Sequence, residues 1–311
     1  MNKKNRKEVI ENVLRDLMSL RQNGSLNNHY AIEENIVFFE SIKSILGYLN
    51  WLITRARQLK RTELLEINNL LPRWDKEMHK ELISLEKKRF PGLITPLVNK
   101  ILKLIYKKKD RFIGVNLGCG GMEVELQIIK KLFYSKHSSQ VVLIGIDKLR
   151  SIHELAKENL KGMESYIDIY KFENLDSHTL EKILEKEKKR HIIIISKNDI
   201  FELQGDFNPK TFDVVYNSLF KHHLTDSQKV QIDNIGLKLA KTVIEYDGYK
   251  NWFFLLLPHT ITAWNNPVFL NATIFSDLRY FTKKQLKKIT DGHCKLSFTN
   301  IGTYLRECDN I

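Results

Sequence analysis

Apolar positions along the chain fall into two textures that meet near residue 95. Over the first hundred residues they recur at helical spacing: Ile10, Val13, Leu14, Leu17 and Met18, then Ile42, Ile45, Leu46, Leu49, Leu52, Ile53 and Ala56. Four or five amphipathic helices are predicted, with Thr62 and Asp75 as N-caps, because a short polar side chain there accepts an orphan amide bond. "FPGLITP" (Phe90 to Pro96) breaks the pattern, and a further helix over 97–107 leads onward.

From Arg111 the runs become short, continuous and separated by helical stretches. "RFIGVNL", "VVLIGID", "HIIIIS", "FDVVYNS" and "NWFFLLL" read as strands; "MEVELQIIKKLF", "SIHELAKENL" and "SQKVQIDNIGLKLA" read as the helices between them. Strands that are apolar on both sides belong to a parallel sheet covered by helices on both faces. "TKKQLKKIT" then predicts a helix, and "CKLSFTN" with "TYLREC" predicts a closing hairpin. The expected architecture is α/β: a doubly wound, mostly parallel seven-stranded sheet with a terminal antiparallel hairpin, preceded by an all-α N-terminal domain. The expected division is residues 1–95 and 96–311.

Composition narrows the class. With 42% hydrophobic residues in 311, there is enough apolar material for one or two full cores. No apolar run approaches the roughly 18 residues of a membrane span, so no membrane partner is expected. The basic opening "MNKKNRKEVIENVLRDL" lacks the apolar segment of a secretory signal, which makes a cytoplasmic protein the expectation. Three cysteines, Cys119, Cys294 and Cys308, are too few and too scattered for a disulfide framework or a zinc site, and no metal is expected. The net charge of +13 is concentrated early: residues 1–110 hold 22 Lys and Arg against 13 Asp and Glu. An anionic small substrate, an acidic protein or RNA would complement it.

The glycine stretch "VNLGCGGMEVE" ends the first predicted strand. In an open parallel sheet, ligands bind at the carboxyl ends of the strands, beside the first one. Gly118 and Gly120 let the backbone turn and a ligand approach it. A dinucleotide fingerprint would need glycine at the sixth position from Gly118, where Glu123 stands, and no phosphate-binding P-loop motif occurs.

"VNLGCGG", "LIGID", "SKNDIFEL" and "FDVVYNSLFKHHL", in that order and each at a strand end, resemble the successive motifs of the class I S-adenosylmethionine-dependent methyltransferases. The resemblance covers roughly Arg111 to Cys308. It implies S-adenosyl-L-methionine as cofactor, with Asn116, Gly118, Cys119 and Gly120 in the turn beneath its methionine part. It implies that Asp147, next to Lys148, accepts from the ribose hydroxyls and that Asp199, with Ile200, meets the adenine. Asn217 and Ser218 would lie near the transferred methyl group, with Asn217, His222 and His223 as catalytic candidates. Histidine suits proton removal near neutral pH.

The chain departs from the family pattern at Asn116, where that family usually carries an acid, and at Met122, in place of a common third glycine. Glu123 and Glu125 are nearby candidates for the missing charge. The segment from Pro258 to Tyr280 is rich in aromatics and amides, and His259, Trp264, Asn265 and Asn266 are candidate substrate contacts. The fourth motif lacks the Pro-Pro-aromatic clamp of enzymes that methylate bases. The implied activity is therefore methyl transfer to an O or N atom of a small-molecule metabolite, with the helical N-terminal domain as a lid over the cofactor, a wall of the substrate pocket or the contact of a homodimer. The alternatives are an RNA methyltransferase that uses the basic N-terminal domain and a non-catalytic S-adenosylmethionine-binding regulatory protein.

Overall fold

In the computed structural model, the residues described are 3–23, 28–56, 58–59, 70–71, 74, 92–135, 137–148, 150–187, 190–250, 264–290, 294–299 and 303–309. The predicted caps Thr62 and Asp75 and the predicted strand "NWFFLLL" lie outside them. The helices are α1 (Lys3–Gln22), α2 (His29–Ser41), α3 (Ile45–Thr54), α4 (Thr95–Ile105), α5 (Glu123–Ser135), α6 (Arg150–Leu160), α7 (Ser177–Lys186), α8 (Asp226–Leu239), α9 (Pro267–Arg279) and α10 (Lys283–Ile289). The strands are β1 (Arg111–Leu117), β2 (Gln140–Ile146), β3 (Ile167–Phe172), β4 (His191–Ser196), β5 (Phe212–Ser218), β6 (Ala240–Gly248), β7 (Cys294–Phe298) and β8 (Thr303–Asp309).

The chain forms two compact units. One comprises Met1–Leu85 and Gly248–Gln285, the other Glu86–Asp247 and Leu286–Ile311. In the first, α9 packs with α1 and α2 although more than 200 residues separate them in sequence. The Phe275 ring meets Phe38 edge-on at 5.3 Å and stacks on Trp51 at 6.3 Å. Asn271 donates to Asn35 Oδ1 at 2.9 Å, and Asn35 donates in turn to the Ala31 carbonyl, so this buried amide pair is hydrogen-bonded. The apolar seam predicted through α3 is only half used: Trp51 and Leu52 are buried, whereas Ile45, Leu46 and Ile53 are 61, 80 and 70% exposed.

The second unit is built on an eight-stranded sheet of order β3-β4-β2-β1-β5-β6-β8-β7, one strand more than expected. β1 pairs in parallel with both β2 and β5, and the chain reaches β5 only after passing from β2 to the edge strand β3 and back to β4 between them. That reversal makes the carboxyl ends of β1 and β5 the switch point. β7 and β8 form the antiparallel hairpin. Alternate residues supply two cores: Ile193 and Ile195 pack with α4, α5 and α6, while Ile192 and Ile194 pack with α7 and α8. "IIII" is apolar throughout because each face of β4 is covered, and a fully buried Ile contributes about 2 kcal/mol.

Two strands escaped the sequence reading. "IDIYKF" forms β3 at the sheet edge, and "AKTVIEYDG" forms β6 in the place anticipated for "NWFFLLL". The cysteines also need correcting: Cys294 and Cys308 are paired in the β7/β8 register and joined as a disulfide. A single cross-strand bridge needs only two cysteines on facing strands, which spacing alone does not reveal. Cys119 is a buried free thiol. No helix among the described residues is long and apolar enough to cross a membrane.

Candidate functional site

The glycine turn is bolted to the end of β2, since Gly118 and Cys119 both donate to the Ile146 carbonyl at 2.8 and 3.2 Å. Gly118 has φ +68°, and a methyl group there would stand 2.3 Å from the Phe220 ring, so both conformation and space demand glycine. Met122 also has positive φ, +64°, which costs a side-chain-bearing residue about 1–2 kcal/mol. Its buried side chain fills the space above Gly145, where a methyl group would lie 2.1 Å from the sulfur. The Met122 thioether and Gly145 are therefore a matched pair.

Carboxylates surround this turn. Gly120 N lies 3.4 Å from Asp147 Oδ2, and Asp147 N donates to Ser196 O, which fixes the end of β2 against β4. Glu123 accepts from Asn159 at 3.0 Å. Glu125, fully buried on α5, accepts from Asn116 Nδ2 at 2.9 Å and from the Tyr216 hydroxyl at 2.5 Å. Burial, with Asp147, Glu125 and Glu123 nearby, pushes the Cys119 thiol well above its ordinary range. Burial likewise raises Glu125 to about 7, against the opposing effect of its two hydrogen bonds.

This field decides which ligands fit. A pyrophosphate would meet three acids, whereas a sulfonium or an ammonium would be attracted by them. Asn116 Oδ1 and Glu125 Oε2 are buried without a hydrogen-bond partner, acceptors suited to a cationic donor. The residues present thus fit the cationic cofactor that the sequence resemblance implies.

Lys148 and Asp199 approach one another at 3.5 Å. Asp199 also accepts from Phe201 N at 3.0 Å, so it caps its own turn, with Ile200 inside that turn. Asn217 is buried on β5 with Oδ1 unpartnered, and Ser218 is half-buried at the end of the same strand.

Beyond Ser218, the chain passes through Leu219 at φ +52° into a short turn, Lys221–His223. His222 N donates to Asp247 Oδ2 at 3.0 Å, and its ring Nδ1 lies 2.8 Å from Asp247 Oδ1. The His223 ring rests 4.0 Å from that of His222. Beneath them Lys221 is buried, bonded to Asp233 at 2.7 Å and Glu245 at 2.9 Å. Arg306 joins the same two acids at 2.5 and 3.1 Å, and Tyr304 donates to Glu245. Sequence reasoning missed Asp247, because it lies on the unrecognised strand β6.

The substrate candidates belong to the first unit and are largely occupied there. The Trp264 carbonyl accepts from Arg6 at 2.7 Å, and the guanidinium lies 4.4 Å over the indole ring. Asn266 caps α9 by accepting from Phe269 N at 3.1 Å, and Asn265 is exposed. His259 lies outside the described residues.

No protein-family model matches the chain, and no curated protein matches its sequence. Solved structures similar to the chain include methyltransferases. The carbon methyltransferase CurJ shares 13% identity and a TM-score of 0.49, over 95% of this chain and 70% of that one. The plantazolicin methyltransferase BamL shares 10% and 0.46, over 74% and 90%. Magnesium protoporphyrin IX methyltransferase from Synechocystis PCC 6803 shares 10% and 0.41, over 73% and 84%. At these values nothing of their substrates carries over to this chain.

Proposed function

We propose that the chain is an S-adenosylmethionine-dependent methyltransferase acting on an oxygen or nitrogen of a small-molecule metabolite. The observation that carries this reading is the glycine turn at the switch point, ringed by Asp147, Glu123 and Glu125, with Asn116 Oδ1 unsatisfied beside it. Bound there, the cofactor supplies an electrophilic methyl group on a positively charged sulfur.

The contribution of the chain is alignment and proton removal. Asp147 serves the ribose and Asp199 the adenine, as the motif order implies. With Nδ1–H of His222 held by Asp247, Nε2 is the lone-pair nitrogen of the neutral ring. His222 Nε2 takes the acceptor's proton as the methyl group is attacked, and Asp247 stabilises the imidazolium that results. His223 packs against that ring, and Asn217 offers its unpartnered oxygen nearby on β5.

Calorimetry with S-adenosylmethionine and with NAD tests the cofactor. Binding of the first below millimolar concentration and not of the second is expected; the reverse would sink the proposal. The excess of basic residues in 1–110 favours a second reading, an RNA substrate. Tight RNA binding that weakens steeply with salt, and is lost on neutralising the N-terminal lysines, would establish it.

A further inference from the structure

Asn116 and Glu125 form a pair with no structural completion. Their mutual bond and the Tyr216 hydroxyl use only one oxygen of the carboxyl group, and the amide oxygen and Glu125 Oε2 remain buried without donors. A buried acceptor left this way costs about 1–3 kcal/mol. The charged groups around the pair come from every side as acids or neutral donors: Tyr216 on β5, Cys119 in the turn, Asp147 beyond it, and Glu123 on the same helix. No cationic side chain acts on Glu125 among the described residues. A purely structural network would pair its carboxyl with a cation or leave it out of the core.

We infer that Glu125, through Asn116, holds the ammonium group of the cofactor's amino-acid end: the amide oxygen accepts from it, and the helix-borne carboxylate supplies the balancing charge. The inference rests on the cofactor reading above and adds the residue that recognises the cationic end. A cation that donates to Asn116 Oδ1 would satisfy that orphan oxygen and, across the Asn116–Glu125 bond, return Glu125 to its charged form. A neutral donor would satisfy the oxygen without restoring the charge, and an anion would do neither. Because Glu125 is held near 7, binding of a cation must displace its proton, roughly half a proton per site at pH 7.

The test is calorimetry with two probes, S-adenosylhomocysteine and its deamino analogue, in buffers of different ionisation enthalpy. Wild type should bind the first and release protons. E125Q keeps the shape and an oxygen to accept from Asn116 and Tyr216. It should bind S-adenosylhomocysteine at least tenfold more weakly, bind the deamino analogue as wild type does, and release no proton. The double variant N116D/E125Q moves the charge one residue toward the ligand and should recover affinity to within about threefold. Melting curves of each variant separate lost binding from lost folding. Unchanged affinity of a folded E125Q, or equal weakening for both probes, overturns the assignment while the cofactor reading stands. Failure of wild type to bind S-adenosylhomocysteine removes both.

Discussion

Glu125 is a carboxyl group that the fold prefers protonated. Its folded value near 7 lies above the ordinary 4.5, so the folded chain holds this proton more tightly than the unfolded one. The stability it contributes is complete below about pH 4.5 and is lost as pH rises through 7, about 3 kcal/mol in all. Without ligand, E125Q should therefore melt progressively above wild type between pH 5 and pH 8, and parallel melting curves would show that Glu125 ionises normally. At Asp147, replacement by Ala should weaken S-adenosylmethionine binding at least tenfold, about 1.4 kcal/mol, as measured by calorimetry. Unchanged affinity would remove Asp147 from the cofactor site. Where the candidate site lies was legible from motif order: the glycine turn follows β1, Asp147 follows β2, and His222 lies in the turn beyond β5. The Asn116–Glu125 bond was not, because it joins a strand to a helix face nine residues on, and only packing brings them together.

At the scale of elements, legibility followed the continuity of the apolar runs. β1, β2, β4 and β5 read as strands because their residues enter cores on both faces. β6 did not, since Lys241, Glu245 and Asp247 interrupt it, and it follows α8 without a turn. The two acids among them are what β6 brings to the candidate site. Asp247 holds His222, while Glu245 binds Lys221 and Arg306 and so ties the Lys221–His223 turn to strand β8. Burial alone would raise Glu245, but Lys221 and Arg306 hold it well below the ordinary carboxylate range. Its stabilisation is present above about pH 4.5 and is lost as pH falls. E245A leaves two buried cations, Lys221 and Arg306, to share Asp233 alone, and a loss of about 3 kcal/mol in urea unfolding is expected. A cost below about 1 kcal/mol would mean that the network is solvated and does not hold the turn.

For the molecule as a whole, the texture change near residue 95 separates helices from sheet, but it does not show where the helical unit ends. Gly248–Gln285 returns to Met1–Leu85, and nothing local in α9 says so. Its partners are distant in sequence: Arg6 to Trp264, Asn35 to Asn271, and Phe38 and Trp51 to Phe275. Removing residues 1–85 alone should therefore not free a well-behaved fragment. It would take α1 and α2 away from α9, whose Val268, Phe269, Leu270, Ile274, Phe275 and Leu278 are all buried in the intact chain. Returning six such side chains to water costs on the order of 10 kcal/mol. The fragment 86–311 should aggregate or bind a hydrophobic dye strongly. A chain that also replaces 248–285 with a short linker should stay monomeric and melt cooperatively. If 86–311 instead melts cooperatively without dye binding, α9 does not depend on the N-terminal helices, and residues 248–285 belong with the sheet.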